Sequence, residues 1–222
     1  YEIRNCDWSS DVCSSDLQFG GHMGLSKQAK TLSEKQIKLV LLHLTTTRHP
    51  TRNRVIFLLS VKSGFRAKEI ASLKWKMLMN SDGQMMNEIH LTNTASKGKS
   101  SGRVITIHKE LKKSLIGLYE QVSNKKSFDI ENAFVITTER SKKTSPQTIV
   151  NTFQRWYSEL GFIGASSHSG RRTFITNVAK KISSVGGSMR DVQSLAGHSN
   201  LQTTQRYIEV DTQSQRKVID II

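Results

Sequence analysis

Toward the C-terminus, His168-Ser169-Gly170-Arg171 is followed by Gly197-His198 and then by Tyr207. Two imidazoles, a guanidinium and a phenol are groups that suit phosphoryl transfer. An arginine can hold a phosphate through its forked N–H donors. Histidines can donate or move protons. A phenol can attack phosphorus once something takes its proton. The chain carries a formal net charge of +15, so the phosphate that fits best is one in a nucleic-acid backbone.

Each signal taken alone has an ordinary reading. His168 and Arg171 fall at i and i+3, one face of a helix, where a ligand or plain solvent can meet them. An anion held there would also meet the free N–H groups of a helix N-terminus. Arg172 competes for the same role, but it projects roughly 100° away around a helix, so only one of the pair should reach a shared site. Gly197 before His198 suits a helix end that turns sharply into a cleft, yet a capped or core histidine has the same appearance. Tyr207 beside Ile208 reads equally as core. The weight lies in their occurring together.

Composition narrows the class. Lys and Arg total 33 against 18 acidic residues, and apolar content is 36%. A solvated basic surface or an anionic membrane would accommodate that charge but not the C-terminal constellation. No apolar run approaches the roughly 18 residues of a spanning helix, and the start of the chain lacks a signal-peptide pattern. Cys6 and Cys13 are the only thiols. That excludes a disulfide framework or a cysteine metal site downstream of them and fits a reducing cytosol. Tyr1 to His22 differ in charge from the rest of the chain: Glu2, Asp7, Asp11 and Asp16 stand against Arg4 alone. Ser9 to Leu17 resembles a translated sequencing adapter. Residues 1–22 are therefore expected to be a non-native or disordered leader, and residues 23–222 the folded unit.

The elements that must position these groups are mostly helical. Thr31-Leu32-Ser33-Glu34 reads as a capping box, with Ile37, Val40, Leu41 and Leu44 behind it at helical spacing. A second helix is expected over about Thr51 to Ser63, closed by Gly64, and a short third after Arg66 through Leu73. Then the period changes. Ile89 to Leu91 and Val104 to Ile107 read as a hairpin with a long polar tip over Thr92–Gly102. Next come a helix over about Lys109 to Gln121 and a strand-like run at Phe134-Val135-Ile136. Ser145-Pro146 starts a helix that runs to Leu160 and stops at Gly161. Further helices are expected over Arg171 to Lys181, from Ser188-x-x-Asp191 to Ala196, and from Thr203 or Thr204 through Tyr207. The fold class is mainly α with a small antiparallel β-sheet (α+β).

With these motifs in place, the chain resembles the tyrosine recombinase (phage integrase) family over about Thr31 to Tyr207. The first box of that family is matched by Gly64-Phe65-Arg66-Ala67-Lys68-Glu69. The second, H-x-x-R leading an apolar helix, is matched by His168 to Val178. Leu195-Ala196-Gly197-His198 matches the Leu-x-Gly-His step, and Tyr207 stands nine residues after that histidine. Ser96-Lys97-Gly98-Lys99 matches the hairpin lysine, Lys97 better than Lys99. Two positions depart: the family has Leu before the second arginine and His after it, where this chain has Gly170 and Arg172. Only a short stretch separates Met23 from Thr31, so the family's N-terminal clamp domain is expected to be absent from this chain, either lost in a sequence-assembly break or lacking as in a lone catalytic domain.

The resemblance implies site-specific cutting and rejoining of double-stranded DNA through a 3′-phosphotyrosyl intermediate, with no cofactor and no metal. Tyr207 would be the nucleophile. Arg66 and Arg171 would clamp the scissile phosphate, Lys97 would protonate the leaving 5′-oxygen, His168 would accept the phenolic proton, and His198 would bond the phosphate. Lys68, Lys99, Arg103 and Arg172 are expected on DNA. A homotetramer on DNA is implied by the same resemblance, and with the composition and cysteine usage above, no membrane association and a cytoplasmic location, bacterial and nucleoid-associated when bound to DNA, are expected. The apolar tail Val218 to Ile222 would fold back or dock on a neighbouring protomer. Two other functions share much of this set: DNA relaxation of the type IB topoisomerase kind, and a non-catalytic DNA-binding regulator descended from an integrase.

Overall fold

The computed structural model describes residues 29–92, 103–124 and 128–207. Among them are eight α-helices and one two-stranded antiparallel sheet, the mainly helical α+β arrangement expected. The leader, Lys97, Lys99 and the tail from Ile208 lie outside the described residues.

Helix α1 (Glu34–Thr45) is capped by Ser33 and not by Thr31. Two overlapping patterns compete here, and the later one wins. Gln36 N–H donates to Ser33 Oγ (3.2 Å), and Ser33 N–H donates to Gln36 Oε1 (2.9 Å). That choice puts buried Leu32 just ahead of the cap, in the same apolar cluster as Ile37 in the next turn, which is the staple arrangement of a helix start. Leu32 N–H is held by Thr173 Oγ1 at 2.7 Å.

Helix α2 (Pro50–Ser63) begins with proline at its first position and ends at Gly64 with φ +65°. Every residue from Val55 to Val61 is buried. A helix that is apolar on all sides belongs inside, and α2 is the central rod against which α1, α4 (Lys109–Ser123) and α6 (Ser169–Ile182) pack. Burial of a side chain such as Phe57 or Leu58 stabilises the fold by about 1.5–3 kcal/mol.

The short α3 (Ala67–Ser72) rests on α5 (Pro146–Glu159), which Ser145 caps by accepting from Thr148 N–H at 3.1 Å. Strands β1 (Glu88–Leu91) and β2 (Arg103–Thr106) pair antiparallel with Ile89 opposite Ile105, both buried. The expected strand at Phe134–Ile136 contributes one bridge, to Lys74. The partner segment turns at once into a 3-10 turn over Trp75–Met77, so the ladder cannot lengthen.

Helix α6 begins two residues ahead of the expected start, which places Arg171 within its first turn. Helix α7 (Met189–Ala196) has the Ser188–Asp191 capping box expected from the sequence, and Gly197 ends it with φ +60°. Helix α8 (Leu201–Gln205) starts earlier than expected, because Asn200 and not a threonine caps it; Gln202 N–H donates to Asn200 Oδ1 at 2.8 Å. Tyr207 therefore comes after the helix instead of riding on it. Ile175, Val192 and Ala196 form a second, smaller apolar cluster, on which Phe174 and Tyr207 pack.

Gly170 has a local reason. A Cβ there would lie 2.4 Å from Ser60 Oγ, on a residue that is fully buried in α2. The serine fills the space that a leucine at 170 would occupy. We expect Gly170→Leu to lower stability by about 1–3 kcal/mol through overpacking, read as a fall in the thermal midpoint by circular dichroism.

Candidate active site

The site lies where three chain turns meet: the end of α2, the start of α6 and the end of α7. Gly64 makes the first turn. Its positive φ suits glycine, and a Cβ would strike the Phe174 ring at 2.5 Å. The next residue, Phe65, is buried, and Arg66 then caps α3. Arg66 is tied by Glu69, whose Oε2 accepts from the Arg66 backbone N–H at 2.7 Å and whose Oε1 lies 3.3 Å from Nη1. The Arg66 side chain stays 31% exposed, so its guanidinium has access to a ligand.

Arg171 is 3% exposed. It donates from Nη1 to the Gly64 carbonyl and from Nη2 to the Ala196 carbonyl at 2.6 Å. Both acceptors sit at helix C-termini, where the helix dipoles concentrate negative potential. That arrangement is what makes a buried guanidinium tolerable. Burial pulls its pKa down and the nearby charges of Arg66 and Arg103 pull the same way, while Glu69 and Tyr207 oppose them. A guanidinium keeps its proton in proteins even so, and Arg171 stands as a fixed positive charge.

Gly197 and His198 form the third turn. The left-handed Gly197 lets His198 leave α7 sharply, and a Cβ at 197 would come within 2.9 Å of the Arg103 side chain. His198 Nδ1 and Thr204 Oγ1 share a 2.9 Å hydrogen bond, which fixes the ring orientation. The ring stacks on Tyr207, with centroids 5.4 Å apart and planes 26° from parallel. The Tyr207 backbone is held by Thr176 Oγ1–H at its carbonyl (3.1 Å) and by its own N–H on the Thr204 carbonyl (3.0 Å). Its side chain is half-buried. Gly197→Ala should therefore both strain the turn and push Arg103. We expect a large loss of any activity that needs His198, with DNA affinity kept, read by comparing a gel-shift titration with a cleavage assay.

The structure thus brings Arg66, Arg171, His198 and Tyr207 together. His168 stands exposed at the N-cap position of α6, three residues before Arg171, with Nδ1 3.4 Å from Ser167 Oγ. Lys68 is exposed on α3. Two residues expected on DNA have partners within the fold. Arg103 turns inward, its side chain 8% exposed, and pairs with Glu69 Oε2 at 3.0 Å. Arg172 donates from Nη1 to the Ala29 carbonyl at 3.1 Å, fastening the entering chain to α6. Sequence reasoning missed the site roles of Glu69, Arg103 and Thr204. Glu69 stands in the matched first box, a signal that could have found it. Thr204 carries no signal, because a single hydroxyl in a polar helix is unremarkable by type.

Three guanidinium groups surround one buried carboxylate, beside a half-buried phenol stacked on an imidazole, at the seam between a central helix and a small C-terminal cluster. The arrangement concentrates positive charge beside a tyrosine. The chain matches the phage integrase family over residues 30–214, and it belongs to that family. Among characterised relatives, it is 28% identical to tyrosine recombinase XerA of Thermococcus onnurineus (strain NA1), over 85% of this chain and 61% of that protein. It is also 28% identical to tyrosine recombinase XerC of Shewanella amazonensis (strain ATCC BAA-1098 / SB2B), over 76% of this chain and 52% of that protein. The fold matches the crystal structure of XerA recombinase with a TM-score of 0.66 at 22% identity, covering 90% of this chain and 65% of the other. It matches the Tn1549 transposon integrase in complex with transposon right end DNA with a TM-score of 0.67 at 17% identity, covering 90% and 67%. The chain spans about three fifths of the length of the XerA relative. Among the described residues, no helix is long and apolar enough to cross a membrane.

Proposed function

We propose that this chain is the catalytic part of a site-specific DNA recombinase or integrase that breaks and rejoins strands through Tyr207. The observation that carries the reading is the convergence of Arg66, Arg171, His198 and Tyr207 from distant stretches on one cluster with excess positive charge. A phosphodiester is the anion that such a cluster beside a phenol would act on. Family membership supports the same reading. So do fold neighbours captured on DNA, such as XerH site-specific recombinase bound to difH substrate.

In the proposed step the Tyr207 oxygen attacks the scissile phosphorus as its proton leaves to His168. The bond from phosphorus to the 5′-oxygen breaks, and that oxygen takes a proton from Lys97. The product is a 3′-phosphotyrosyl link and a free 5′-hydroxyl. Arg66 and Arg171 hold the non-bridging oxygens as charge builds on them, and His198 donates a hydrogen bond to the same group. The phosphotyrosine conserves the bond energy, so a second 5′-hydroxyl reverses the step without ATP. Neither metal nor cofactor is needed. Lys68, exposed on α3, and Lys99 would contact the DNA backbone. Double-stranded DNA is the proposed substrate, a homotetramer the proposed working assembly, and the cytoplasm the proposed location.

The test uses a labelled pool of duplexes with a randomised central segment and a nick, so that the short 5′-hydroxyl strand released by cleavage diffuses away. The reading expects a protein–DNA adduct that survives SDS. On supercoiled plasmid assayed in parallel, relaxation by an isolated monomer with no recombinant product would favour the topoisomerase reading, and duplex binding with no adduct would favour the regulator.

A further inference from the structure

Arg103 stands outside the six residues assigned to chemistry, yet it contacts the elements that present two of them, the turn at Arg66 and the turn at His198. Its Nη2 pairs with Glu69 Oε2 at 3.0 Å, and Glu69 in turn ties Arg66. Its Nη1 donates to the Leu195 carbonyl at 2.7 Å, in the last turn of the helix that presents His198. Its guanidinium carbon lies 5.7 Å from the centre of the Phe65 ring, between Gly64 and Arg66. Its side chain fills the space a Cβ at Gly197 would need. It sits at the first position of β2, opposite Leu91 of β1. An arginine placed on DNA would be exposed, whereas this one is almost fully buried.

We infer that Arg103 is a positioning residue: one guanidinium spans Glu69 and the Leu195 carbonyl, locking the Arg66 turn, the His198 turn and the root of the hairpin into one register. The fork geometry is essential to that task. A lysine at 103 keeps a charge for Glu69, but as a point donor it cannot hold both acceptors in a fixed plane. A neutral side chain loses both ties and leaves Arg66 as the one ion-pair partner of the buried Glu69 carboxylate among the described residues.

The inference rests on the proposed function, and its test separates the two. Single-turnover adduct formation on the nicked, randomised duplex pool is measured at saturating DNA for the unsubstituted chain, Arg103→Lys and Arg103→Met, with DNA affinity measured separately by gel shift. A positioning role predicts unchanged affinity. It also predicts a saturated rate lower on the order of 10²-fold in Arg103→Met, the size expected when reacting groups are misplaced by about 1 Å. Arg103→Lys should recover part of that rate. If Arg103→Met does not fold, Arg103→Lys carries the test, with a slower saturated rate at unchanged affinity. A folded Arg103→Met with an unchanged saturated rate overturns the inference. So does a variant whose only defect is affinity, which would return Arg103 to the DNA surface. No adduct from the unsubstituted chain would instead overturn the proposed function.

Discussion

Arg171→Lys is expected to reduce single-turnover cleavage by about 10²–10³-fold, the usual effect of removing one donor from a site that stabilises developing oxyanion charge. The buried position makes the substitution far from conservative. Arg171 reaches the Gly64 and Ala196 carbonyls at once, and a lysine amine cannot reproduce that planar fork. A buried carbonyl left without its donor costs about 1–3 kcal/mol, so the variant should also melt at a lower temperature. The two effects are separable. Cleavage measured well below the variant's melting temperature should remain depressed, whereas a purely structural role would let the rate recover on cooling.

Tyr207→Phe carries the second large effect. The ring that stacks on His198 is retained and only the hydroxyl is lost. The backbone bonds that place residue 207 are likewise untouched. Folding and DNA affinity should therefore match the unsubstituted chain. Covalent adduct should vanish, since deletion of a nucleophile in a covalent mechanism costs on the order of 10⁶-fold in rate. Gel shift and SDS gel on the same samples read the two quantities together.

Much of the site is legible in the sequence because its motifs are local. H-x-x-R places His168 and Arg171 at one helix start whether the helix begins at residue 169 or 171, and Gly197 announces its turn by type. The capping box at Ser188 is legible because Ser and Asp at that spacing have few competing partners. At the first helix, two overlapping patterns could each serve as the cap. The choice depends on the burial of Leu32 and its bond to Thr173, a contact 141 positions away in the chain. The strand expected at Phe134 fails for a related reason: pairing needs a partner that stays extended, and Lys74 leads straight into a 3-10 turn. Arg103 shows the limit most clearly. Basic residues in a basic chain look alike in sequence, and only the fold shows that this one faces a buried carboxylate while Lys68 faces solvent.

The same contrast explains Gly170. By motif it is a departure from leucine. In the fold it is the complement of Ser60, a residue 110 positions earlier in the chain. Local pattern picks out the candidate groups, and long-range packing decides which residues surround them.

The central claim, that the phenolic oxygen of Tyr207 takes the phosphate, is tested most directly by digesting the SDS-resistant adduct and sequencing the DNA-bearing peptide by mass spectrometry. The expected product is a nucleotide joined through its 3′-phosphate to Tyr207 and to no other side chain. An adduct mapped to a different residue, or one still formed by Tyr207→Phe, would contradict it.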